Sequence, residues 1–289
     1  MQVILNGLIY GAAIATLALA FQLVYLPTRI LFLGIAALYS LAPYIFLAAQ
    51  TSGIPDWCAA LLSLTSVGVI AALFDRFNHA PLARSGASDA AQMISSLGLY
   101  IVVSQGIAIV WGNAPMRLIG NSGKTWRLDS LTLQAAQFEM FLYCSLGLTL
   151  ILIFLRSSRI GLRLRALADN PNEFHRLGYN ASSYRTMIFV LSGVIASISA
   201  LTTARDIGFA PHSGLQALLP AVVAVIIGGR FSFVGCVIGG FFVGVLQTQV
   251  VWQFSARWQE AAVFFVLAVF LLLRPAGLFG HEVRTDTSR

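Results

Sequence analysis

Charge is what this sequence has least of. Only 10% of its 289 residues are charged, where a soluble globular domain carries about 25%. Lysine is almost missing, since 17 of the 18 basic residues are arginine. Cysteine is scarce too: Cys58, Cys144 and Cys236 stand in separate apolar stretches without ligand spacing. They read as small packing residues, and neither a disulfide nor a cysteine metal centre is expected. His79, His175, His212 and His281 are far apart and lack acidic or cysteine companions. No metal, no bound cofactor and no catalytic histidine is therefore expected. The opening peptide, MQVILNGLIYG, has neither a basic n-region nor a small-residue cleavage site, and reads as a retained span.

What fills the space is hydrocarbon. The chain is 58% hydrophobic, with a mean hydropathy of +0.82. Its apolar residues fall in repeated runs of roughly 20, the length that crosses a bilayer as helix. The fold class is an all-α polytopic membrane protein with eight or nine transmembrane helices, set in a lipid bilayer. Spans are expected at 4–25, 30–50, 57–74, 93–111, 138–155, 187–203, 215–227, 233–250 and 261–273. The seventh is short for a full crossing and reads as tilted, re-entrant or part of a broken helix buried in protein. No composition shift divides the chain. It is expected to be one membrane domain, 1–280, with a short polar tail, 281–289.

The net charge of +7 is a topology signal and not a nucleic-acid one. Arg156, Arg159, Arg163, Arg165, Arg176 and Arg185 crowd one break between spans, which places the loop 156–186 in the cytoplasm. With nine spans, Arg29, Arg76, Arg84, Arg274, Arg284 and Arg289 come out cytoplasmic as well, and the uncharged N-terminus lies outside. The loop carrying Arg117, Lys124 and Arg127 falls outside, against that rule.

Inside the arginine-rich loop, ALADNPNEFHRLGYN (166–180) has its own punctuation. Asn170 suits an N-cap, Pro171 a first helical position, and Glu173 can reach back to the cap's amide. Gly178 supplies a left-handed residue to end the helix at Leu177. The spacing predicts a two-turn helix over 171–177, preceded by a second over 162–168. A simple return between helices takes about 2–8 residues. A capped helix this short is marginal in water and needs a surface to pack on, either its own bundle or a cytoplasmic partner. The arginines alone are equally well read as a solvated loop.

That loop and the helix after it, GLRLRALADNPNEFHRLGYN and FVLSGVIASISAL, resemble the corresponding region of ABC-importer permeases of the branched-chain amino acid uptake type. AVIIGGRFSFVGCVIGGFFVGVLQT resembles that family's Gly-Gly stretch and glycine-spaced helix, and AAVFFVLAVFLLLRPAGLFG its terminal span. The resemblance covers essentially the whole chain. It implies a permease subunit with no chemistry of its own, paired with a second related permease to form the path for a small polar solute. Two ATP-binding-cassette ATPase subunits and an extracytoplasmic solute-binding protein would be its partners. It further implies that the ATPases are coupled through Arg165, Asn170, Pro171, Glu173, Phe174, Arg176 and Gly178. Two departures stand out. Phe174 replaces a small residue of the loop helix, which is expected to reshape the docking surface. The second span, ILFLGIAALYSLAPY, lacks the family's Asn-Phe-Ala-polar-Gly signature.

Other motifs divide between packing and function. Gly235, Gly239, Gly240 and Gly244 form overlapping four-residue glycine spacings that let helix backbones approach. They are read as packing within the subunit, or as a sliding interface with the partner permease. Gly228-Gly229 before them permits a sharp turn. GNSGKT (120–125) resembles the end of a phosphate-cradling loop but lacks its first glycine and a preceding strand. Asn180 heads an Asn-Ala-Ser triplet with no meaning in a cytoplasmic loop. Gln105, Ser192, Ser197, Ser199 and Thr202 are polar groups within spans and candidate pathway residues. Hydroxyls at helical spacing also bond back to their own helix. Glu139 and an Arg205–Asp206 ion pair are expected at the membrane interface. Against an ion-coupled secondary transporter stands the lack of a midplane carboxylate or arginine. Against a membrane-embedded enzyme stands the lack of a nucleophile–base or metal cluster.

Overall fold

Hydrocarbon offers no partner to an N–H or C=O, so each apolar run must bond its own backbone, and it does so as helix. The computed structural model describes residues 1–118, 125–128, 131–169, 171–229, 232–274 and 277–279. In chain order come α1 (Gln2–Thr28), α2 (Gly34–Thr51) and α3 (Asp56–Phe74), which continues through a π turn (Asp75–His79) into α4 (Ala80–Arg84). Then follow α5 (Asp89–Trp111), the strands β1 (Thr125–Leu128) and β2 (Leu131–Gln134), and α6 (Ala135–Ser157). After them come α7 (Arg159–Asp169), α8 (Pro171–Arg176), α9 (Ala181–Asp206), α10 (Ser213–Gly228), α11 (Phe233–Gln253) and α12 (Gln259–Leu273). Eight of the described helical rods are long and apolar enough to cross a membrane, and α10 is a shorter apolar helix. The two strands pair antiparallel, with Thr125 opposite Gln134. This small hairpin is an addition to the helical fold that the sequence reading missed.

Local chemistry sets the helix starts. Ser88 accepts from the Ala91 amide at the head of α5, and Ser232 accepts from Gly235 at the head of α11. Gln134 and Gln137 form a reciprocal box at the start of α6. Asn180 caps α9 by accepting from the Ser182 amide at 3.1 Å, which gives the Asn-Ala-Ser triplet a structural purpose.

The centre of the bundle is α1, wrapped by α9, α10 and α11, with α2 beyond. Alanine and glycine make this possible. Ala12, Ala15, Ala18 and Ala20 of α1 are fully or almost fully buried. A Cβ on Gly240 would collide with Ala15, and one on Gly244 with Gly11, so α1 and α11 run antiparallel at backbone contact. Gly239 meets Ala224, and Gly235 meets Gly228, so α10 packs on α11 in the same way. These glycines are therefore covered by their own chain, the first of the two readings that the sequence left open. At the periphery, α12 is nearly bare, with Phe265, Leu272 and Leu273 exposed.

Three features of the helical rods, two of them departures from the sequence reading, have clear causes. The third span does not stop at Phe74: Asp75 and Arg76 look like a loop, but the rod continues to Arg84 because Asp75 is buried and paired. The seventh span is a broken segment. After α9 the chain passes through an irregular stretch, where Phe209 and Met116 exchange two backbone hydrogen bonds of 2.8 Å. Helix resumes inside the bundle, where the Gly214 amide donates to Ser40 Oγ at 3.0 Å. Parity then follows. α9 ends beside the start of α1, since Tyr10 donates to Asp206 at 3.0 Å, whereas α11 starts beside the end of α6. The segment 207–228 makes the return. Finally, Arg205 and Asp206 do not pair with each other. Arg205 reaches Glu139 at 3.2 Å and Asp56 at 3.9 Å, tying the starts of α3 and α6 to the end of α9.

Candidate functional site

The α7–α8 segment forms a knob at one end of the bundle. Ser158 receives the Gly161 amide at 3.0 Å as α7 begins, and Gly161 is pressed against the Leu155 carbonyl. α7 is amphipathic, burying Gly161, Leu164, Leu167 and Ala168 and turning its arginines outward. α8 then starts at Pro171, as the sequence predicts, and Gly178 at φ 81° ends the turn. The Asn170 cap lies outside the described residues, as do GNSGK (120–124) and the tail.

Phe174 holds α8 down. It is 2% exposed, stacks on Tyr179 at 5.1 Å and meets Tyr184 edge-on at 5.4 Å. Arg163 closes the cluster, with its guanidinium 4.8 Å from the centre of the Tyr179 ring and a 2.7 Å hydrogen bond to the Tyr184 hydroxyl. That bond holds the Arg163 pKa above its ordinary value. Phe174 is thus a buried anchor, and the expectation that it reshapes the docking face is corrected. The outward face carries Glu173 and Arg176, paired at 2.8 Å, and Leu177, which is 71% exposed. Arg165 faces elsewhere, into a groove of about 610 Å³ shared with Arg156, Leu152 and Phe233.

The knob is tied to the bundle by a contact the sequence reading missed. One turn into α9, Arg185 Nε lies 2.8 Å from Asp75 Oδ1, and the Thr186 hydroxyl donates to Asp75 Oδ2 at 2.6 Å. The Asp75 side chain is 1% exposed. Asp75 thus joins the start of α9, a few residues past Gly178, to the α3–α4 rod. A carboxylate inside an otherwise apolar rod was the available signal.

At the opposite end, beside the Arg205 contacts, a cleft of about 810 Å³ opens among α1, α2, α9, α10, α11 and α12. Tyr10, Tyr39, Ser199, Thr203, Gln216 and Gln247 give it polar groups. Of the candidate pathway residues, Ser199 lines it and the other four do not. Gln105 is exposed on α5. Ser192 is fully buried, Ser197 bonds back to the Gly193 carbonyl at 2.8 Å, and Thr202 to Ile198 at 2.9 Å. Thr203, which the sequence reading did not single out, joins Ser199 on the side of α9 that borders the cleft. Among the described residues no three histidine, cysteine or acidic side chains converge on a point. The cysteines are unpaired, and Cys144 contacts Thr202 at 3.4 Å.

Comparison with known proteins bears on the whole length. A family model described as the permease component of branched-chain amino acid transport systems matches residues 3–273. The high-affinity branched-chain amino acid transport system permease protein LivH of Salmonella typhimurium is 24% identical, over 97% of this chain and 96% of that protein. The permease protein BraD of Pseudomonas aeruginosa is 24% identical with the same coverage. Among solved structures, PsaBC from Streptococcus pneumoniae in complex with Fab has the same fold. Its TM-score is 0.52 at 15% identity, over 94% of this chain and 91% of that one.

Proposed function

The chain belongs to the family of branched-chain amino acid transport permeases, and from that premise we propose that it is the membrane subunit of an ABC importer in a bacterial inner membrane. The arginine-rich α7–α8 end faces the cytoplasm. A second, related permease completes the path, and two ATPase subunits seat on α8. A solute-binding protein delivers its cargo to the end bearing the 810 Å³ cleft. The cargo is a small polar solute of the branched-chain or related amino acid class, for which the cleft's hydroxyls and amides over an apolar floor are suited. Glu173, Arg176 and Gly178 belong to the coupling helix, and Phe174 is its anchor. Asn170 and Pro171 are proposed as its cap and first residue, and Arg165 as part of the adjoining cytoplasmic face.

The observation that carries this reading is an exposed two-turn helix fixed on an aromatic platform and linked by Asp75 to a membrane rod. Such a part has a use only if something pushes on it. Closure of the ATPases shifts the population between inward- and outward-open arrangements.

Co-purification of the chain with its ATPases tests the proposal. Glu173→Arg reverses the outward face. Gly178→Val meets no atoms within 4 Å, so its effect is confined to a left-handed backbone costing about 1–2 kcal/mol. Each is expected to lower ATPase recovery about tenfold while membrane insertion is unchanged. Undiminished recovery from both variants rejects the docking role.

A further inference from the structure

A second cavity, of about 420 Å³, lies at the cytoplasmic end, between the end of α1, the α3–α4 rod, the start of α5, α7 and the start of α9. Its walls are unusual in their unfinished polarity. His79 lines it and is 1% exposed, yet neither ring nitrogen has a hydrogen-bond partner. The ring is wedged in place by Phe32, edge-on at 4.9 Å, and Phe189 at 5.4 Å. Gln92, 5% exposed, gives its amide nitrogen to the Ala87 carbonyl at 3.2 Å, while its own Oε1 stays unpartnered. Buried polar groups are almost always bonded, and exceptions call for a missing partner.

The surroundings describe that partner. Among the described residues, Arg84 and Arg185 both line the cavity and no acidic side chain does. Asp75, behind the wall, engages Arg185, so Arg84 remains as the cation for an anion. The Gln92 carbonyl oxygen asks for an N–H donor. Ile30, Leu167 and Phe189 supply an apolar side. A carboxylate, an ammonium and an aliphatic chain in one small molecule match these three demands.

We infer that this cavity is a cytoplasmic binding site for a small aliphatic amino acid, separate from the cleft at the other end. The inference rests on the orientation and cargo class proposed above. Its walls come from α7 and α9 on one side and α4 and α5 on the other. Occupancy therefore holds the coupling segment against the bundle and favours that arrangement over the one the ATPases drive. Solute accumulated inside the cell would slow its own uptake.

Ala181, which lines the cavity, is the reporter. In the assembled transporter, with Cys58→Ser and the two buried cysteines retained, Ala181→Cys is modified by a membrane-impermeant thiol reagent in inside-out vesicles. Saturating L-leucine is expected to slow modification about fivefold, and leucinamide, which lacks the carboxylate, to leave it unchanged. His79→Phe and Gln92→Leu are each expected to abolish the protection. Absence of protection by leucine, or equal protection in both variants, overturns the site. Equal protection by 4-methylpentanoate, which lacks the amine, overturns the amino acid assignment. Because the readout is protection and not transport, uptake that persists without protection rejects this site while leaving the proposed function standing.

Discussion

Gly240→Val is expected to disrupt the bundle severely. The new Cβ falls on the Cα and amide of Ala15, atoms that move only if α1 and α11 part. Overpacking by side-chain methylenes costs about 1–3 kcal/mol. Here the obstacle is backbone, and the two helices share the longest seam in the molecule, from Gly7 beside Val245 to Ala15 beside Gly240. A loss of about 3 kcal/mol or more, seen as a melting midpoint lower by roughly 6–12 °C, is the expected result in detergent. Gly98→Val is the control. It lies on α5 with nothing within 4 Å, and its midpoint should hardly change. Equal melting of the two variants would mean that α1 and α11 do not meet at their glycines.

Asp75→Ala should act on stability and coupling together. It strands Arg185 and removes the closer acceptor of the Thr186 hydroxyl, leaving the Ser182 carbonyl at 3.2 Å. Breaking a buried ion pair from one side costs about 3–5 kcal/mol. The Arg185 side chain retains 20% exposure and can turn toward water, so the lower end of that range is expected. Asp75→Leu combined with Arg185→Met should recover much of the melting midpoint, because the desolvated charges leave together. Coupling should not recover. In both variants, ATP hydrolysis should continue while uptake falls about tenfold, since α9 no longer pulls on α3. Uptake that survives in the stable double variant would show that the pair is structural only.

The parts legible in the sequence are those whose causes are local. Apolar runs located the membrane helices, and Pro171 and Gly178 bounded α8 because each constrains its own φ. The continuation of α3 to Arg84 was hidden because the partners that make Asp75 tolerable, Arg185 and Thr186, lie more than a hundred residues away. Phe174 looked like a surface change for a different reason: its partners Tyr179 and Tyr184 are near in sequence, but which side of the short helix faces them is set only by the turn at Gly178. On α9 the hydroxyls were visible but the facing direction was not. Ser199 reaches the Ala13 carbonyl of α1 at 2.9 Å, and only that neighbour fixes which side of the helix borders the cleft. Two strands of four residues carry too little alternation to be seen at all.

The end of the chain has one more consequence. Past α12, the amides of Leu278 and Phe279 donate to the carbonyls of Ile227 at 2.8 Å and Gly228 at 3.2 Å, with Gly277 fitted over Gly229. The broken seventh segment is thus finished by a peptide fifty residues downstream, in the manner of a buckle. Any swing of α10 would therefore be felt by the outermost helix twice, through this peptide and through its direct packing on α10 and α11. A chain cut before Gly277 would leave those two carbonyls open and loosen one of the two ties.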